Sequence, residues 1–345
     1  MKLAIIGLAQ SGKATVFQAL TGTPLNAGRK TENHIGTIRV PDERVDRLSA
    51  IYNPRKTIYA QVEYFLPAAK GTEGDKQSSE QAYWAHVRDG DALIHCVRNF
   101  DVYGTDAPRP WEDFQTLDQE LIFTDLVSVE KRLERLKLDQ KRGKKPDPEE
   151  LDLLTRCHAE LENECPLRLT PELASAPKLR GFAFLSAKPQ LVLFNNSDED
   201  DRLPEKAGAL VAATAFVIRG KLEQELAGMG FEEAAEFLSE FGLEASAADR
   251  IIRQSYTLLG LISFFTVGED EVRAWTIPQG TTAEDAAEVI HSDIKKGFIR
   301  AEVLAYEDLL SAGSYAEARR QGTVRLEGKQ YEARDGDIIH FRFNV

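Results

Sequence analysis

The first twenty residues read MKLAIIGLAQSGKATVFQAL, and the fold turns on Gly7–Thr15 within them, GLAQSGKAT. This stretch follows the phosphate-loop pattern Gly-x-x-x-x-Gly-Lys-Ser/Thr until its last position, where Ala14 stands in place of the hydroxyl. Lys2–Ile6 is a short apolar run of the kind that forms a strand buried on both faces. Val16, Phe17 and Leu20 then give residues 14–20 a helical spacing. The loop therefore lies between a strand and a helix, where backbone N–H groups and the helix N-terminus attract phosphate. Gly7 and Gly12 permit backbone angles closed to other residues, and Lys13 is placed to reach the β- and γ-phosphates. The expected phosphate site is Gly7, Gln10, Ser11, Gly12, Lys13, Ala14 and Thr15.

Hydrolysis needs more than this loop. Its hydroxyl ordinarily ligates Mg²⁺, and a carboxylate at the end of a later strand holds the metal's water. Ala14 has no oxygen, and Thr15 is rotated about 100° around the helix. The segment AQVEYFLPAAKGTEGD, residues 60–75, carries Leu66-Pro67-Ala68-Ala69 where Asp-x-x-Gly is expected. No catalytic residue and no metal ligand is assigned, and Mg²⁺ has lost two of its anchors.

Composition sets the outer limits. At 345 residues, with 42% hydrophobic and 29% charged residues, the chain has ordinary globular content and room for two or three domains. A net charge of −13 argues against a general grip on nucleic acid and leaves room only for a local basic patch. Cys96, Cys157 and Cys165 are odd in number and lack metal-ligand spacing, so they read as reduced thiols in a cytosol. The apolar start meets Gln10, Ser11 and Lys13 without a small-residue cleavage site, so it reads as a strand and not as a secretory signal. No stretch approaches the roughly 18 apolar residues of a membrane span, and a cytoplasmic location is expected.

Two further regions have clear patterns. Leu117, Leu121, Leu126, Val129, Leu133 and Leu136 recur at mostly three- and four-residue intervals, which predicts an amphipathic helix over 117–138. A break at 143–148 and a second helix capped by Asp147, with Leu151, Leu154 and Leu161, complete a helical hairpin. Its tip, KLDQKRGKK at 137–145, offers Lys141, Arg142, Lys144 and Lys145 as an RNA or partner contact. No aromatic interleaves them, so the contact would be to phosphates. In the tail, Thr281-x-x-Glu284 reads as a capping box opening a helix that runs to Gly297. Asp335-Gly336 reads as a hairpin turn before a closing strand, Ile339 to Val345. His291 and His340 read as surface or sheet-face residues.

On these residues the chain resembles the YchF family of Obg-related P-loop NTPases over almost its whole length. GLAQSGKATVFQALTG is similar to that family's phosphate loop and first helix, VPDERVDRLSAIYNPRK to the segment after its first switch, and QAYWAHVRDGDALIHCVRNF to its next helix and strand. DLVSVEKRLERL matches the start of its helical insertion. The stretch from LLGLISFFTVGEDEVRAW through YEDLL, with the ending DGDIIHFRFNV, resembles its TGS domain nearly continuously. The resemblance implies an α/β fold. A Ras-like P-loop NTPase domain over 1–115 and 180–260 would carry an α-helical coiled-coil hairpin at 116–179 and a C-terminal β-grasp (TGS) domain at 261–345. It also implies binding and slow hydrolysis of ATP, often in preference to GTP, and association with ribosomes.

The departures fall at the chemistry: Ala14, Leu66 to Ala69, a second switch reduced to Lys70-Gly71-Thr72-Glu73-Gly74, and Lys30 beside Thr31 in the first switch. The resemblance places base recognition in KPQLVLFNNSDED, at Asn195, Asn196 and Asp198, with Arg219 and Gly220 in the later base loop. A register one residue on, Asn196-Ser197-Asp198-Glu199, stays open, and so does adenine against guanine. The expected function is a purine-nucleotide (ATP or GTP) binding switch or scaffold near the ribosome, with weak or absent hydrolysis. The alternatives are a slow ATPase that recruits Thr15, Glu73 or Asp75, and a nucleotide-independent adaptor for RNA or the ribosome.

Overall fold

A computed structural model describes residues 1–25, 32–68, 76–206, 214–240 and 246–344. In chain order the elements begin β1 (Lys2–Ile6), α1 (Lys13–Thr21), β2 (His34–Arg39), α2 (Glu43–Tyr52), β3 (Lys56–Ile58) and β4 (Gln61–Leu66). Then come α3 (Lys76–Arg88), β5 (Ala92–Asn99), α4 (Pro110–Lys141), α5 (Pro148–Glu162), α6 (Pro171–Ala174), β6 (Gln190–Asn196) and β7 (Ala215–Ile218). Three helices follow, α7 (Gly220–Ala227), α8 (Phe231–Glu240) and α9 (Ala247–Leu258). The last part holds β8 (Leu261–Val267), β9 (Glu271–Pro278), α10 (Ala283–Ile290), α11 (Ser292–Lys296) and β10 (Phe298–Ala305). It closes with α12 (Tyr306–Ala312), α13 (Tyr315–Arg320), β11 (Arg325–Glu327) and β12 (Asp337–Phe343). The chain divides into two compact units, Met1–Thr37 with Glu63–Ile251, and Ile38–Val62 with Ile252–Val345.

The first unit is built on a sheet of order β2-β4-β1-β5-β6-β7 among the described residues. Its β4, β1, β5, β6 and β7 run parallel, with Ile5 opposite Ile94 and Val97 opposite Phe194. Such strands are covered on both faces and read as continuous apolar runs; Leu3 to Ile6 and Leu193 to Phe194 are fully buried. On one face Tyr83, Trp84 and Val87 of α3 and Leu117 and Leu121 of α4 pack on Ala4, Ile6, Phe65 and Leu93.

The first hairpin helix is longer than its leucine spacing suggested, starting at Pro110 with Glu112 and Asp113 in the first turn. Proline at a helix start costs no hydrogen bond, and acidic residues there complement the helix dipole. Its single apolar stripe serves two cores. Leu117 and Leu121 belong to the sheet, whereas Leu126, Val129, Leu133 and Leu136 face Leu154, Cys157 and Leu161 of α5. Between the two stretches sits Asp125, fully buried, accepting the N–H groups of Leu185 at 3.0 Å and Ser186 at 2.7 Å. Burial pushes its carboxyl above the ordinary range, against the pull of those N–H groups and of Arg88 at 3.7 Å.

The second unit holds a sheet of order β11-β10-β12-β8-β9-β3. Ala283, Ala286 and Ala287 of α10 pack across it on Phe264, Ile277, Val303, Ile339 and Phe341, which is a β-grasp arrangement. Ile38–Val62 supplies β3, parallel to β9 with Thr57 opposite Val272. Arg44 fastens this segment by a forked ion pair to Asp335, at 2.7 and 3.3 Å, while Asp335 also accepts the Ser263 N–H at 2.9 Å.

Three details differ from the sequence reading. The cap of α10 is Thr282, which accepts the Asp285 N–H, because the Thr281 hydroxyl donates to the Pro278 carbonyl at 2.6 Å. Glu284 is taken instead by Lys329 at 2.7 Å. The helix does not run through to Gly297; it stops at Ile290, and His291 caps a separate α11 by accepting the Asp293 N–H at 3.2 Å. Asp335-Gly336 does form a turn, with Gly336 at φ 90°, but it joins no hairpin, since β11 pairs with β10.

Glu302 on β10 is buried and accepts from Tyr315 at 3.1 Å, Arg319 at 2.5 Å and Arg342. Burial acts upward on its carboxyl, but Arg342, Tyr315 and Arg319 hold it below the ordinary value. A depressed carboxyl contributes stability above its unfolded value near 4.3 and loses it as pH falls through the folded one. The resistance of the wild type to urea is therefore expected to fall between about pH 7 and about pH 3.5, and Glu302→Gln to shrink that difference; an unchanged difference would place the linkage elsewhere. Asp125→Ala leaves two buried N–H groups without an acceptor and is expected to cost about 3 kcal/mol in the same assay.

Candidate nucleotide-binding site

The C-terminal ends of β1, β5, β6 and β7 lie side by side, the edge of a parallel sheet where ligands bind. From β1 the chain turns through Gly7 to Gly12, the residue before α1, which has the left-handed φ of 85°. Gln10 is also left-handed, at φ 60°. A Cβ on Gly12 would overlap the Asn195 side-chain nitrogen, and one on Gly7 would overlap the Cys96 carbonyl oxygen. Both glycines are required by close approach, and Gly12 by conformation as well.

Asn195 is buried at the end of β6. Its Nδ2 donates to the Ser11 carbonyl at 3.2 Å, and its Oδ1 accepts the Gly220 N–H at 3.0 Å. One amide thus spans the phosphate loop and the start of α7. Asn196 is buried too but turned away from that bridge, with Nδ2 on the Arg202 carbonyl and Oδ1 receiving Asn99, each at 2.9 Å. Asp198 accepts the Leu222 N–H at 3.3 Å, and Arg219 donates to the Asp198 carbonyl at 3.4 Å.

Lys13 Nζ donates to the carbonyls of Gly7 at 2.8 Å and Leu8 at 2.7 Å. The Ser11 carbonyl also receives the Cys96 thiol at 3.1 Å, while the Ser11 hydroxyl is buried without a hydrogen-bond partner. Burial pushes the Cys96 thiol up to about 12, so it stays a proton donor and no nucleophile. The neighbouring His95 is lowered to about 3 by burial, then by Arg168 and Lys13. Its neutral ring stacks on Phe114 and meets Gln190 at 3.2 Å, a packed side chain and no general base.

A cavity of about 440 Å³ adjoins the loop, lined by Thr15, Phe100, Asp101, Asn195 to Asp198, Lys221 and Gln224. Phe100, Asp101, Lys221 and Gln224 carry no motif. The signal that finds Phe100 and Asp101 is position alone, directly after a parallel strand. Ala14 presents an exposed methyl, Leu66 is an apolar buried residue at the end of β4, and Thr15 borders the cavity. No group of three or more His, Cys, Asp or Glu able to hold a metal occurs among the described residues. Among the described residues, Ala14 and Leu66 offer a metal ion no side-chain oxygen. Lys30, Thr31, Ala69, Lys70, Gly71, Thr72, Glu73, Gly74 and Asp75 lie outside the described residues. At the far end of α4, a helix roughly 48 Å long at 1.5 Å per residue, Lys141, Arg142, Lys144 and Lys145 are all exposed, with Lys144 3.6 Å from Asp139. Among the described residues, no helix is long and apolar enough to cross a membrane.

The family model YchF-GTPase_C, described as a protein of unknown function (DUF933), matches residues 261–344. The ribosome-binding ATPase YchF of Bacillus subtilis is 37% identical, over 99% of this chain and 98% of its own length. The chain belongs to the YchF family. The ribosome-binding ATPase YchF of Pasteurella multocida is likewise 37% identical, over 100% of this chain and 99% of its own. Among solved structures, the Schizosaccharomyces pombe YchF GTPase is similar with a TM-score of 0.85 and 28% identity, covering 99% of this chain and 97% of that one. A GTP binding protein from Pyrococcus horikoshii shares the fold, with a TM-score of 0.57 at 19% identity.

Because Gly12 both adopts a left-handed angle and touches the Asn195 amide, Gly12→Ala in this YchF-family chain is expected to lower nucleotide affinity at least about tenfold. Titration of ATP and GTP measures it, and unchanged affinity would show that the loop tolerates the break.

Proposed function

We propose that this chain is a purine-nucleotide-binding switch or scaffold that acts near the ribosome with little or no hydrolysis. The observation that carries the reading is the Asn195 bridge between Ser11 and Gly220, kept beside a loop that has lost its metal-side oxygen at Ala14. In this account the backbone N–H groups of Gln10 to Thr15 and the α1 N-terminus take the phosphates. Lys13 exchanges the Gly7 and Leu8 carbonyls for phosphate oxygens. The base enters the cavity lined by Phe100, Asn195 and Asp198, with Asn196, Arg219 and Gly220 holding the surrounding loops. ATP is favoured over GTP, since the B. subtilis and P. multocida relatives are named ATPases.

Mg²⁺ contributes little to affinity, because Ala14 and Leu66 offer it nothing. No described carboxylate stands where a metal-bound water would be held, which is why turnover is weak. The ribosome as partner follows from the same relatives' names, and the cationic hairpin tip supplies phosphate contacts for it. A cytoplasmic location accompanies that partner.

ATP and GTP titrations with Mg²⁺ and with a chelator are expected to agree within about threefold, and Lys13→Ala to weaken binding at least about tenfold. Phosphate release should not exceed that of Lys13→Ala. Absence of binding by either nucleotide at about 1 mM overturns the reading, and steady turnover above the variant favours an active ATPase. Reversing the charges of Lys141, Arg142, Lys144 and Lys145 together is expected to reduce ribosome co-sedimentation at least about tenfold and to flatten its salt dependence. Co-sedimentation unchanged by the reversal would move the contact away from the tip.

A further inference from the structure

The second unit contains an open seam inside its sheet. Strands β8 and β12 are neighbours and parallel, but their ladder has a single register pair, Ile338 opposite Phe265. On its other side β12 is paired with β10 as far as Phe343. A cavity of about 590 Å³ opens at this seam. Six consecutive residues of β12, Ile338 to Phe343, border it, and Thr266, Val267, Glu271 and Trp275 of β8 and β9 stand opposite. In a closed sheet, successive residues point to opposite faces and cannot line one cavity. The cavity therefore passes through the seam and runs along the main-chain edge of β12.

The two sides of the slot differ in chemistry. Trp275, Ile290 and Ile294 are apolar and belong to the core beneath α10. The other side carries Tyr315, Arg319, His340 and Arg342. On this side Glu302 neutralises one of the two guanidinium groups it receives and leaves one positive charge in excess, while Glu271 across the slot is offset by Arg273 at 3.8 Å. Side chains Arg319 and Arg342 are 57% and 51% exposed, so their charge is open to a ligand. The Tyr52 hydroxyl, on a residue that also lines the cavity, is buried without a hydrogen-bond partner.

We propose that this seam is a strand-addition site that takes an extended peptide segment of a partner protein, with apolar and acidic side chains in alternation. The edge of Phe341–Phe343, roughly 10 Å at 3.3 Å per residue, supplies main-chain hydrogen bonds. Alternate side chains of the peptide then fall on Trp275, Ile290 and Ile294 and on Arg319 and Arg342. Main-chain pairing gives affinity and the two unlike walls fix register, as in other strand-addition sites.

The probe is a dye-labelled, end-blocked peptide of alternating glutamate and valine, titrated into the full-length chain by fluorescence anisotropy. Saturable binding below about 100 μM is expected, with slowed amide exchange confined to the peptide spanning residues 338–344. Arg319→Glu, on the surface helix α13, is expected to weaken it at least about tenfold. The same peptide with alternate backbone nitrogens methylated keeps its charges and loses its donors, and it is expected not to bind. Absence of binding at about 1 mM overturns the proposal. So does equal binding of the methylated peptide or its displacement by acetate, which would mark an anion pocket and no strand site. Since the exchange footprint is read on unmutated protein, a variant that fails to fold leaves the test decisive.

Discussion

The phosphate loop of this chain is held in place by one buried amide. Asn195 gives its donor arm to Ser11 and its acceptor arm to Gly220, and both partners are backbone groups whose positions matter for a nucleotide. An amide buried with either arm unmatched would cost about 1–3 kcal/mol, so the loop and the start of α7 must keep their distance from one another. Gly12 is glycine because that amide fills the space a side chain would need. The constraint extends further along α7, where buried Glu223 accepts from the Ser246 hydroxyl at 2.6 Å and the Ala247 N–H at 2.8 Å, and so fixes the start of α9. Asn195 thus ties the loop before α1 to the start of α7, and Glu223 of α7 in turn holds the start of α9.

That anchoring consists of backbone groups and one amide and needs no metal. The amide donors of the loop and the α1 dipole, equivalent to roughly half a positive charge, do not depend on the residue at position 14. Lys13 adds a full charge. Mg²⁺ is the component that requires specific oxygens, and the side chains of Ala14 and Leu66 carry none. Backbone geometry is secured by Gly7, Gly12 and Asn195, so the fold of the loop does not depend on the residues at positions 14 and 66. In the proposed function, binding and turnover separate because different atoms support them.

The local parts of this arrangement are legible in the sequence. Strand, glycine loop and helix occupy adjacent residues, and the hairpin announces itself by leucine spacing and by Asp147, whose carboxylate does accept the Glu149 N–H. What packs on a stripe is not legible: Leu117 and Leu133 look alike in the pattern, yet one faces the sheet and the other faces α5. Adjacent threonines make the α10 cap ambiguous by one residue, and the choice is made by the Pro278 carbonyl, a contact that spacing does not contain. Phe100 and Asp101 border the cavity only because β5 is parallel to its neighbours. The pairing of β3 with β9 joins residues far apart in the chain, which no local pattern carries.

The open seam in the second sheet has the same non-local origin. Antiparallel β10 and β12 pair along the whole of β12, from Ala305 opposite Asp337 to Phe298 opposite Phe343, with a register shift between Phe298 and Arg300. Parallel neighbours are joined by long connections, so nothing forces their ends to coincide. Ile338 stands near the start of β12 and Phe265 two residues before the end of β8, and the offset carries Phe341 to Phe343 beyond the end of β8 on that side. Exposed strand edges are ordinarily blunted by charge, and Arg342 meets that need here. A sheet could have closed the gap by extending β8 past Val267, but the chain turns there at Gly268 into β9. The seam is therefore a consequence of where β8 ends, and its cationic wall makes it selective for acidic strands without making it adhesive to every exposed edge.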